Sequence, residues 1–154
     1  MSSAVETFIL FTVAGTTYGL RSRDVAHIEM VEQVTPVPNA AAFVDGVVFS
    51  RGQVVPAVNL RARFGFERAP CDLATRLIVV QSGGRSVGLV VDAAREFVTF
   101  DSSLIRPPSA ALSGMSGHYL EGIANVGDRL ILVLDLARLL RFEDPALQPE
   151  PQEG

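Results

Sequence analysis

The chain has 154 residues, 48% of them hydrophobic and 19% charged, with 13 basic against 17 acidic residues and a net charge of −4. Such a composition supplies a core and excludes a disordered chain, and the scattered arginines lack the basic stripe of a nucleic-acid binder. A single cysteine, Cys71, excludes an internal disulfide, and no apolar run approaches the ~20 residues of a membrane helix. Met1 to Glu6 has neither the basic nor the apolar region of a signal peptide, so a reducing, cytoplasmic setting is expected. Every basic residue is arginine, which with abundant Ala, Gly and Val reads as codon bias rather than function.

The chain reads as strands. Phe8 to Val13 is β-branched and aromatic and too short for a typical helix. Ala14-Gly15-Thr16-Thr17 is a turn, Tyr18-Gly19-Leu20 resumes the strand, and Val25 to Met30 is another. Thr35-Pro36-Val37-Pro38-Asn39 is a proline-stiffened connector. Val44 to Phe49 and Val54 to Val58 flank Ser50-Arg51-Gly52-Gln53, a hairpin loop with glycine supplying positive φ. Asn59 caps a helical turn through Phe64, which Gly65 ends. Leu77 to Val80 and Val87 to Val91 form a hairpin around Ser82-Gly83-Gly84-Arg85, and Ala94 to Phe100 adds a strand. Asp101 to Gly117 is a connector, Tyr119 to Val126 and Leu130 to Leu134 a further hairpin, and Asp135 caps a helix through Arg141. From Glu143, Pro145, Pro149 and Pro151 with acidic residues predict a disordered tail.

An internal repeat organises these elements. Ile9, Gly15, Gly19 and Leu20 match Ile78, Gly84, Gly88 and Leu89, each 69 positions on. Asp45-Gly46-Val47 matches Glu121-Gly122-Ile123, and Asn59-Leu60 matches Asp135-Leu136, each 76 positions on. Two half-chains of short strands predict two small barrels sharing an interface, since closure removes sheet edges and each core alone is small.

Catalytic signals are weak. His27 and His118 show no metal spacing with Cys71, and His27 reads as a surface or partly buried structural histidine. Ser82 to Arg85 neither opens a helix nor carries a lysine, so it is no phosphate loop. Arg51, between two apolar strands and near Gly46 and Gly52, suits binding, although by residues alone a solvated arginine in an ordinary turn is the simpler reading.

Several linked strings resemble the CheW-like family: Thr35 to Asn39, Phe43 to Val47, Arg51 to Arg61, Thr75 to Val80, Val87 to Asp92 and Asp128 to Asp135. The resemblance covers about residues 7–142 and implies an all-β fold, two five-stranded SH3-like barrels packed together with short helical turns. The barrels would span about 7–70 and 71–142, with strand exchange left open, and 143–154 would be a Pro-rich tail. It implies a non-enzymatic chemotaxis adaptor without metal or cofactor, located in the cytoplasm at the chemoreceptor array. Its partners would be the regulatory domain of a CheA-type histidine kinase, the cytoplasmic tip of methyl-accepting chemoreceptors, and further CheW-like domains. The receptor tip would dock between the barrels. The matched coupling positions are Val25, His27, Ile28, Gly46, Phe49, Ser50, Arg51 and Gly52, and Val91 and Asp92 are the kinase-side candidates.

Four positions depart from the family pattern. His27 stands where the family often has a glutamate able to pair with the arginine matched by Arg51, so that ion pair would be missing. Phe49-Ser50 replaces the usual Asn-Leu, and Asn59 a frequent Asp. These departures leave open a divergent scaffold of a twitching, gliding or other chemosensory pathway with altered partners.

Overall fold

β-Branched and aromatic runs separated by glycine turns fold as strands, because such side chains pack well on a pleated surface. The computed structural model describes residues 4–108 and 116–141. In chain order it contains β1 (Val5–Val13), β2 (Thr16–Arg21), β3 (Val25–Met30), β4 (Val44–Ser50), β5 (Gln53–Asn59), α1 (Leu60–Arg63), β6 (Arg76–Ser82), β7 (Arg85–Val91), β8 (Ala93–Asp101), β9 (Ile105–Arg106), β10 (Leu120–Val126), β11 (Arg129–Leu134) and α2 (Leu136–Leu139). The tail from residue 143 and part of the Asp101–Gly117 stretch lie outside the described residues.

The strands form two sheets, ordered β3-β6-β7-β5-β4 and β8-β1-β2-β11-β10-β9; we call them barrel 1 and barrel 2. Each barrel takes strands from both halves of the chain. The hairpin β6–β7 completes barrel 1, and the hairpin β1–β2 completes barrel 2. The two repeats have exchanged their first hairpins.

The repeat holds at the level of single pairings. The bulge between Val44 and Gly46 recurs 76 residues on between Leu120 and Gly122. The parallel pair Ala57↔Gly88 recurs as Val133↔Gly19. Barrel 2 has six strands rather than five because Ile105 and Arg106, inside the expected connector, pair with Ala124 and Ile123. Barrel 1 has only the single bridge Thr35↔Val47 at the matching place. At both places a glycine admits the crossing backbone. A Cβ on Gly46 would lie 2.1 Å from the Thr35 carbonyl oxygen, and one on Gly122 2.4 Å from that of Arg106.

Why Phe8 to Val13 is apolar on both faces is now plain. Phe8 and Leu10 point into barrel 2's own core, with Phe100, Ala124, Ile131 and Val133. Ile9, Phe11 and Val13 point the other way, into a central cluster. In β6, Leu77 and Val79 fill barrel 1, while Ile78 and Val80 join the central cluster. The period of two thus sends alternate residues to a private core and to the interface between barrels. Leu60, Phe64, Leu136, Leu139 and Leu140 join that interface from the helical segments.

Polar contacts orient the barrels. Arg63 stacks its guanidinium 4.2 Å from the Phe43 ring centroid and 4.8 Å from that of Tyr119, and donates to the Leu139 carbonyl. The Asp92 carboxylate accepts from the Ala14 N–H at 2.8 Å and from Arg61 Nε and Nη2 at 2.9 and 2.8 Å.

Asn59 caps α1, its Oδ1 accepting from the Ala62 N–H at 3.1 Å. Its Nδ2 donates to Asp45 Oδ2 at 2.9 Å, which an aspartate could not do. Asn59→Asp keeps the cap but sets two carboxylates together at a buried position. It is expected to lower stability by about 1–2 kcal/mol in thermal unfolding.

Candidate functional site

The β4–β5 turn is built on two left-handed residues. Arg51 has φ +49° and Gly52 φ +84°, between the paired ends Ser50 and Gln53. That is the two-residue turn whose twist matches the flanking strands. Glycine was expected to supply positive φ; the arginine shares it, although a side chain there costs about 1–2 kcal/mol. The Arg51 side chain is exposed, and Phe49 and Val54, cross-strand neighbours, are 74% and 65% exposed.

Below the turn lies a polar cluster. Ser50 is buried at the end of β4. Its Oγ–H donates to Glu29 Oε2 at 2.5 Å, and His27 Nε2 lies 2.7 Å from the same oxygen and 2.9 Å from Ser50 Oγ. A carboxylate only accepts, so Nε2 carries its proton. His27 and Glu29 reach one face of β3 because they are two residues apart.

The Ser50 hydrogen bond, opposed by partial burial and reinforced by His27 and by the positive charge of Arg51, holds the Glu29 carboxyl below its ordinary value. The Asp92 carboxyl is also lowered: burial opposes this, and the bonds from Arg61 and the Ala14 N–H outweigh it. A carboxyl lowered by folding contributes stability that is full above its unfolded value, 4.5 for Glu29 and 3.8 for Asp92. That stability is lost as pH falls through the folded value. Stability is therefore expected to fall below about pH 4, and urea midpoints against pH should show a shallower fall in Asp92→Asn.

The structure brings His27, Phe49, Ser50, Arg51 and Gly52 together around one turn. Val25 and Ile28 are half-buried against the central cluster rather than open to solvent. Gly46 is buried, its lack of a side chain required by Thr35. Val91 is buried in the central cluster, and Asp92 ties α1 to the β1–β2 turn. The sequence reading missed Glu29, whose carboxylate joins His27 and Ser50 below the turn; its spacing of two from His27 was the available signal. A cleft of about 340 Å³ beside the turn is lined by Glu29, Met30, Val47, Phe49, Val54 and Leu77 among others.

No three His, Cys, Asp or Glu among the described residues are grouped to hold a metal ion, and no described helix is long and apolar enough to cross a membrane.

Residues 7–144 match the family model described as the CheW-like domain. The chain is 32% identical to the chemotaxis protein CheW of Klebsiella aerogenes over 142 residues, covering 92% of this chain and 86% of that one. It is 30% identical to the CheW of Rhizobium meliloti over 136 residues, 88% of each. The crystal structure of the scaffolding protein TtCheW from Thermoanaerobacter tengcongensis superposes with a TM-score of 0.83 at 28% identity, over 91% of this chain and 95% of that one. With the paired β repeat and the turn just described, these matches establish that the chain belongs to the CheW-like family and is a chemotaxis adaptor, a scaffold rather than an enzyme.

Proposed function

We propose that the β4–β5 turn is the coupling element of this adaptor. It joins the regulatory domain of a CheA-type histidine kinase to the cytoplasmic tip of chemoreceptors, within a membrane-associated array in the cytoplasm. The observation that carries this reading is Arg51: a charged, exposed residue in a costly backbone conformation, flanked by exposed Phe49 and Val54. Strain of this kind is kept where it serves a task, and aromatic and arginine side chains dominate binding energy at interfaces. His27, Ser50 and Gly52 support the turn, while Val25, Ile28 and Gly46 hold the barrel behind it. Val91 and Asp92 contribute by setting the barrel arrangement that the kinase meets.

The mechanism is geometric. An adaptor holding both partners transmits receptor state only through contacts that differ between states, and an array makes weak contacts sufficient through multivalency.

Calorimetry of the full chain with the regulatory domain from the same genome tests the reading. Saturable one-to-one binding is expected, weakened about tenfold or more by Phe49→Asp with an unchanged melting temperature. A well-folded chain that binds neither the regulatory domain nor a receptor tip would overturn it.

A further inference from the structure

At two positions the seam between β3 and β4 in barrel 1 is polar where barrel 2 has valine, while Glu96, the match of His27, keeps an ion pair with Arg129 in barrel 2. Position for position, Glu29 matches Val98, 69 residues on, and Ser50 matches Val126, 76 residues on. Val98 and Val126 both pack against barrel 2's own core. Glu29 and Ser50 instead hydrogen-bond to each other, and His27 donates to the same carboxylate oxygen.

Two valines close a seam without burying any polar atom. A carboxylate, a hydroxyl and an imidazole must each be desolvated and satisfied. Barrel closure therefore does not require the polar version. The next residue separates the two seams. In barrel 2 the turn begins with Gly127, at φ +64°, which adopts that conformation without strain. In barrel 1 it begins with Arg51, at φ +49°. The turn that begins with a strained residue is the one whose preceding residue, Ser50, is hydrogen-bonded to a carboxylate.

We propose that Glu29 is the positioning residue of the coupling turn: its carboxylate fixes Ser50, the last residue before the turn, so that Arg51 keeps its left-handed backbone and outward orientation. The carboxylate oxygen Oε2 is the common partner of Ser50 Oγ and His27 Nε2, at 2.5 and 2.7 Å. His27 orients it from the same strand, and Ser50 reaches it from β4. Glu29 thus links β3 to a turn that β3 does not pair with. The inference rests on the coupling role proposed for Arg51 and adds the group that makes that role geometrically stable.

The test installs the second barrel's seam in the first, as Glu29→Val with Ser50→Val. The melting temperature is expected to hold or rise, since well-packed apolar groups replace a partly buried polar cluster. Amide exchange at residues 50–53 is expected to rise about tenfold, because the turn loses its tether. Binding to the kinase regulatory domain is expected to weaken about tenfold. Adding Arg51→Ala to the valine pair should weaken binding little further, the non-additivity of residues acting as a unit. Unchanged exchange together with unchanged binding would overturn the proposal. Exchange is read without a partner, so it still decides the role of Glu29 if the regulatory domain does not bind wild-type protein; that second outcome would instead remove the coupling reading. Should the valine pair not fold, Glu29→Gln keeps the volume and one acceptor and removes the charge. It is expected to raise exchange and weaken binding several-fold, and wild-type values for both would overturn the proposal.

Discussion

Replacing Arg51 by asparagine is expected to leave the fold at least as stable and to weaken kinase binding about tenfold or more. The two effects separate because they arise in different places. The left-handed backbone at φ +49° suits asparagine, whose short side chain tolerates it better than arginine does. Relief of that strain contributes about 0.5–1 kcal/mol to the folded state. The lost guanidinium is exposed and neighbours exposed Phe49 and Val54, so its removal is felt on the outer surface of the turn. Thermal unfolding and calorimetry on one preparation read both quantities. A drop in stability with binding intact would make Arg51 a structural turn residue.

Gly46→Ala is expected to act the opposite way, through the fold. Its φ of +145° is one that side chains rarely adopt, and a Cβ there would sit 2.1 Å from the Thr35 carbonyl oxygen. The Thr35–Val47 bridge would have to open to make room, losing a pair of 2.9 Å backbone hydrogen bonds. The expected loss is about 3 kcal/mol or more. For a chain of this size that lowers the melting temperature by roughly 10 °C. Gly122→Ala is the matched control, since its Cβ would meet the Arg106 carbonyl oxygen at 2.4 Å without positive φ. It should be the milder of the two. Any loss of partner binding in Gly46→Ala should track the unfolded fraction, and binding lost in a fully folded Gly46→Ala protein would move Gly46 into the contact surface.

The barrels were legible before the structure because the repeat and the strand pattern share one cause. Gly15, Gly19 and Leu20 recur as Gly84, Gly88 and Leu89 because the same hairpin is built twice. Asn59 and Asp135 both cap helical turns as their chemistry directs. Which hairpin completes which barrel was not legible. Equivalent hairpins β1–β2 and β6–β7 present the same pattern to either barrel, and only the chain's path in space distinguishes them. β9 was hidden because two paired residues leave no periodic signal.

At the site, the residues around the turn were visible as a local string from Phe49 to Gly52. Glu29 was not, because its role depends on Ser50 from a strand 21 residues away. The family pattern directed attention to His27, and the missing ion pair looked like a loss. In the folded protein a carboxylate is still present beneath the turn, that of Glu29, one strand period along from His27 and bonded to it and to Ser50. Asp92 likewise stood in a string shared with the family, and its engagement by Arg61 and Ala14 appears only in three dimensions.

Bridging of kinase and receptor by this chain is read out by co-sedimentation on receptor-bearing vesicles. CheA-type kinase from the same genome is mixed with such vesicles, with and without the full chain. The kinase is expected to sediment with the vesicles only when the chain is present, and Arg51→Asn to remove most of this recruitment. Equal kinase sedimentation with and without the chain, or recruitment unchanged by Arg51→Asn, would contradict it.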